Sequence, residues 1–144
     1  MQKSEVPNIM PYKVFLSSCY TKEMQINRDL FRAELLARFN IISGQIGENT
    51  YLVDFEYGIP YNTPEKEVID ICVSNVRTAD LFFCILGKQY GHMVKIKDLP
   101  SDLKNLAVNF GYRKIYEKIS VLELEILTAL FYYPDRSVFF LQGF

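Results

Sequence analysis

Ala79-Asp80-Leu81-Phe82-Phe83-Cys84-Ile85-Leu86-Gly87-Lys88-Gln89-Tyr90-Gly91 is the stretch that decides the fold. Leu81 to Leu86 are apolar without interruption, behind an acidic entry and ahead of a Gly-x-x-Tyr-Gly exit. Such a run predicts a strand buried on both faces, and strands of that kind belong to parallel sheets covered by helices. In open α/β sheets ligands bind beyond the carboxyl ends of the strands. The turn from Gly87 to Gly91 is therefore the first place to seek a site.

Upstream, Lys13 to Cys19 reads as a first strand that turns polar at its exit. A helix is predicted from Lys22 to Phe39, with Ile26, Leu30, Ala33 and Ala37 beside Phe31, Leu35 and Phe39 as two adjacent apolar stripes. Tyr51 to Phe55 is a second strand. Thr63 offers an N-cap with Pro64 at the first helical position, and Glu65 and Glu67 suit the positive end of the dipole. That helix runs toward Ala79 with Val68, Cys72, Val76 and Ala79 on one face.

Downstream, His92 to Ile119 reads as a long insertion with one short helix between Ser101 and Gly111. A helix from Ser120 to Tyr132 and an apolar strand from Val138 to Leu141 follow. The alternation predicts a doubly wound, flavodoxin-like parallel sheet of four strands in a single domain spanning 1–144. A full sheet of this kind carries a fifth strand and a closing helix, so the expectation is an amino-terminal module of a longer protein.

Composition narrows the function. A chain of 144 residues buries roughly two-thirds of its unfolded surface in one core. The net charge of −1 gives neither nucleic acid nor an anionic membrane a large field to engage. The insertion carries six Lys and Arg against three acids, hence +3, which leaves −4 on the rest. Three cysteines at irregular spacing suit a reducing compartment. The amino end lacks the apolar segment of a secretory signal, and no apolar run approaches the ~20 residues that span a bilayer. The expectation is a soluble, cytoplasmic protein.

Flavodoxin-like strand order opens the crevice between the first and third strands. That would bring Ser17, Ser18 and Cys19 toward Gly87, Gln89 and Tyr90, where hydroxyls and a glycine turn can hold phosphate or ribose. The other reading is that Ser17 and Ser18 cap the following helix and the glycines make a tight turn. Ser120-Val121-Leu122-Glu123 matches a capping box, which gives Glu123 a structural task. Glu125 has none. It lies about 200° around the helix from Glu123, on a helix apolar nearly all round. A carboxylate there is costly unless it is paired or lines a pocket, and a pocketed carboxylate is the usual mark of a functional acid. A Glu that reaches solvent or pairs with a surface cation is the other reading. Cys19 has no base but His92 to pair with, so a structural thiol is expected. No metal-ligand spacing and no P-loop is present.

Val14-Phe15-Leu16-Ser17-Ser18, Asn27-Arg28-Asp29, Tyr57-Gly58-Ile59, Ala79-Asp80-Leu81-Phe82 with Leu86 to Gly91, and Ser120 to Glu125 occur in that order. Together they resemble the TIR-like domain of unknown function found at the front of NTPases with NACHT, WD or tetratricopeptide repeats, of the telomerase- and vault-associated and nephrocystin-like kinds. The chain departs from that pattern at Asn27, Tyr57 and Leu122, where the family has Glu, Trp and Thr. In related TIR and deoxyribosyltransferase-like folds a Glu followed four residues later by Ala acts on the ribose carbon of a nucleotide, and Glu125 with Ala129 matches that spacing.

Two functions are compatible with this. The favoured one is a signalling and interaction module that mediates self-association or contact with a downstream NTPase, with no cofactor, nucleic acid or membrane partner. The alternative is a glycosidase that cleaves NAD or a nucleoside through Glu125, as carboxylates do in glycosidic chemistry. Ser17 and Ser18 would then hold ribose or phosphate, Gly87 would admit the ligand, and Tyr57 or Tyr90 would stack on a ring.

Overall fold

The computed structural model describes residues 12–18, 22–38, 50–53, 62–88 and 90–141. Cys19, Tyr57 and Gln89, singled out above, lie outside the described residues. In chain order the elements begin with β1 (Tyr12–Ser18), α1 (Lys22–Leu30, continued by a wider π-type turn over Phe31–Leu36), β2 (Thr50–Val53), α2 (Glu65–Arg77) and β3 (Leu81–Leu86). They continue with β4 (Met93–Lys95), α3 (Ser101–Asn105, continued by a π-type turn over Leu106–Phe110), β5 (Lys118–Ser120), α4 (Val121–Tyr132) and β6 (Ser137–Leu141).

The main sheet has the order β2-β1-β3-β6, with every pair parallel. This is the flavodoxin-like α/β arrangement the apolar run of β3 predicts, with the order of strand addition reversing between β1 and β3. Phe82 and Cys84 at the centre of β3 are fully buried. Alternation along the strands separates two faces. On one, Phe15 stacks on Phe82 at 6.0 Å and Phe82 meets the edge of Phe139 at 6.1 Å; α2 and α4 cover this face with Val76, Leu122 and Ala129. On the other, Phe31 packs on Phe83 with ring centroids 4.5 Å apart.

The start of β1 is fastened to the end of α2 by polar groups. Asp80 accepts from the Lys13 amide at 2.8 Å, and Lys13 Nζ donates to Asn75 Oδ1 at 3.0 Å and also to Thr78. Burial holds the Lys13 ammonium below its ordinary pKa, opposed by the Asp80 charge.

Two local readings need correction. The inward face of α1 is Met24, Arg28 and Phe31, while Ile26, Leu30, Ala33 and Ala37 are exposed. Residues spaced by four and three share a helix face, and here that face is completed by a buried guanidinium that an apolar count passes over. The cap of α2 is Pro64 and not Thr63: the Pro64 carbonyl accepts from the Val68 amide at 3.1 Å, and no side chain caps the terminus.

The insertion folds onto the body. β4 and β5 pair antiparallel, Val94 opposite Ile119, and close a second core of Val94, Ile96, Leu99, Leu103, Leu106, Ala107 and Ile119. Ile69 and Val73 of α2 and Leu124 of α4 complete it. This explains why α4 is apolar nearly all round: Leu122 and Ala129 serve the sheet, and Leu124 serves the insertion. Asp102 on α3 also pairs with Arg77 at the end of α2.

Candidate functional site

Ser17 is the sixth residue of β1 and faces α4. Its hydroxyl donates to Glu125 Oε1 at 3.3 Å, with both side chains buried. Burial pushes the Glu125 carboxyl up to about 8 from an ordinary 4.5, and the Ser17 hydrogen bond opposes the shift. The nearby Cys72 thiol on α2 is pushed up to about 12, first by burial and then by the Glu125 charge. One turn beyond Glu125, Thr128 turns its hydroxyl back to the Leu124 carbonyl at 2.6 Å, which removes a donor from the same buried face. The result is an acid, a hydroxyl and an inert thiol in the layer between β1, α2 and α4. At neutral pH the acid is mostly protonated, because an unpaired carboxylate in apolar surroundings is costly.

Ser18 is separated from its neighbour by the pleat. Its side chain lies on the α1 face, where Arg28 Nη1 donates to its Oγ at 3.4 Å. Arg28 Nη2 donates to Gln25 Oε1 at 2.6 Å, and the guanidinium is buried. The carboxyl end of β1 therefore carries an acid on one face and a guanidinium on the other, each against a serine. Arg28 is the component that residue-by-residue reading left without a role. Its signal was present in the four- and three-residue spacing of Met24, Arg28 and Phe31.

The exit of β3 divides in the same way. A Cβ on Gly87 would lie 2.9 Å from Met24 Sδ, so the turn packs directly on α1. Tyr90 is exposed, and its hydroxyl accepts from Arg113 Nη2 at 3.4 Å. Arg113 is held in turn by Glu123 through bonds of 2.7 and 2.9 Å from Nη2 and 3.1 Å from Nε. Ser120 Oγ accepts from the Glu123 amide at 3.0 Å, so one half of the capping box forms, while the Glu123 carboxylate goes to Arg113. Of the residues expected at one crevice, Ser17 and Glu125 are brought together. Ser18 and Gly87 sit on the α1 side, and Tyr90 is tied to the insertion through Arg113. Tyr57 lies outside the described residues.

Among the described residues no group of three His, Cys, Asp or Glu side chains could hold a metal ion. No helix among them is long and apolar enough to cross a membrane.

The comparisons with known proteins are sparse. The chain is 26% identical over 120 residues to a rat (Rattus norvegicus) protein titled "Telomerase protein component 1". The match covers 82% of this chain and 4% of that protein, so the chain spans a small fraction of its relative's length. No protein-family model matches the chain, and no solved structure matches it.

Proposed function

We propose that the chain is a TIR-like interaction module whose task is assembly, through self-association or through contact with other domains of a longer NTPase protein. The observation that carries this reading is β6. Val138, Phe139, Phe140 and Leu141 are 43%, 36%, 55% and 63% exposed on a strand paired along one edge to β3. A parallel strand of continuous apolar residues is ordinarily covered on both faces, and an exposed apolar patch marks a contact site. The similarity to a much longer protein supports a role as one part of a larger assembly.

A second reading is favoured by the buried Glu125–Ser17 pair: an enzyme that cleaves the glycosidic bond of a nucleoside or of NAD. A neutral carboxylic acid held in a dry layer can donate a proton to a departing base. With NAD, the positive charge of the bound nicotinamide would lower the pKa of the acid so that its proton passes to water. Nicotinamide then leaves neutral, without a proton, and the carboxylate facing the ribose carbon steadies the oxocarbenium charge or attacks it.

One measurement separates the two: nicotinamide release from NAD, and base release from nucleosides, by concentrated folded protein beside a Glu125→Gln control. The interaction module predicts no release by either protein. Release that disappears in the control replaces it with the glycosidase.

A further inference from the structure

We infer that the outward face of the β4–β5 ribbon docks on the outer face of α2 of a second copy of this chain, lysine against carboxylate. This rests on the interaction-module reading and specifies its partner. Val94 and Ile119 face the second core, so alternation turns Lys95 and Lys118 to solvent, directly opposite one another. Like charges in that position destabilise a strand pair. Lys97 and Lys114 are exposed close by in sequence, and among the described residues none of these four lysines makes an ion pair. Two of the insertion's three acids are already held by arginine: Glu117 lies 3.6 Å from Arg113, and Asp102 pairs with Arg77. Asp98 alone is left to offset the lysines, and the exposed side chains of Met93, Ile115 and Tyr116 stand among them.

The complement is on the same chain. Glu67 and Asp70 are exposed three residues apart on α2, on one face with the exposed Ile71 and Ser74. That face is turned away from Ile69, Cys72, Val73 and Val76, the side α2 buries. Among the described residues neither carboxylate has a cation partner. Ile71 gives the lysine stems and the Tyr116 ring an apolar surface to cover.

The distribution of charge selects the occupant. An insertion at +3 attracts the −4 body of another copy, while the same body repels a nucleic acid or an anionic membrane that reaches past the margins of the ribbon. Size agrees. Each strand of the ribbon has three residues, roughly 10 Å at about 3.3 Å per residue, which is the width of one α-helix, about 10–12 Å. The two surfaces differ, so the contact is heterologous and every copy offers one of each.

Sedimentation velocity of the full chain over a wide concentration range tests this. The samples are the wild type, Lys95→Glu/Lys118→Glu, Glu67→Lys/Asp70→Lys, and an equimolar mixture of the two variants. At an ionic strength of about 0.01 M, where the Debye length is about 30 Å, the wild-type sedimentation coefficient should rise with concentration. It should return to the monomer value at about 1 M, where that length is about 3 Å. Each variant alone should stay monomeric, and the mixture should associate because each variant then meets the opposite charge. Circular dichroism confirms that the variants fold. A wild-type monomer throughout, association of either variant alone, or a mixture that stays monomeric would each overturn the contact. So would a monomeric wild type that binds a single-stranded oligonucleotide or phosphatidylserine vesicles through Lys95 and Lys118, which assigns the ribbon to a polyanion. A monomer that releases nicotinamide through Glu125 would also remove the module reading, whereas a monomer that releases none removes this contact alone.

Discussion

Glu125 stores its proton in the fold. Its carboxyl titrates near 8 in the native state against an ordinary 4.5, chiefly because burial penalises the anion. Between those two values the native state holds a proton that the unfolded chain has released, so stability falls as pH rises across the window and levels off above it. The contribution is on the order of a few kcal/mol. Glu125→Gln, neutral at every pH, should flatten that slope, as urea melts at the two ends of the window would read. Ser17→Ala removes the hydrogen bond that favours the anion. It should therefore extend the slope to higher pH, at a cost of about 1 kcal/mol. A slope unchanged in Glu125→Gln would show that another group carries the pH dependence.

Elements rest on contacts that are local in sequence or remote, and their legibility follows that division. The strand order could be reached from the chain because Leu81 to Leu86 is long, apolar and bounded by turn residues. Glu125 stood out because its neighbours Leu124 and Ile126 left it no polar company. The inward face of α1 was misread because Arg28 is buried through a serine on another element, a partner that periodicity does not contain. The strands β4 and β5 escaped notice for a related reason: each has three residues, and their pairing joins positions about twenty-five apart. Two changes probe the elements themselves. Ser120→Ala deletes the cap of α4 and should cost about 1 kcal/mol, with Glu123 still held by Arg113. Tyr112, 88% exposed, sits at a φ of 55° in the turn that leads out of α3. Tyr112→Gly should stabilise the protein by up to about 1 kcal/mol, because glycine takes that conformation without steric cost. Thermal melts check both, and a destabilised Tyr112→Gly would mean that the ring has a contact worth more than the strain.

At the scale of the molecule, α2 and α4 are shared property. Each gives one side to the sheet, through Val76, Leu122 and Ala129, and another to the insertion, through Ile69, Val73 and Leu124. A solvated loop in place of the insertion would leave both helices with apolar surface on two sides, so 92–119 is part of the folding unit. Replacing 96–117 with a two-residue Asn-Gly turn would keep the β4–β5 ladder, since that turn matches the twist of a hairpin. It would also uncover Ile69, Val73 and Leu124. Burial of such side chains stabilises by about 1.5–3 kcal/mol each, a sum comparable to the whole stability of a small domain, about 5–15 kcal/mol. The excised protein should therefore lose its cooperative urea transition and bind a hydrophobic dye in the absence of denaturant. Leu103→Ala, which leaves the insertion in place and hollows its core, should cost about 2–5 kcal/mol in a single transition. A cooperative melt of unchanged midpoint after excision would mean that the sheet and its helices are complete without the second core. Two separable transitions in Leu103→Ala would mean that α2 and α4 fail to couple the cores they join.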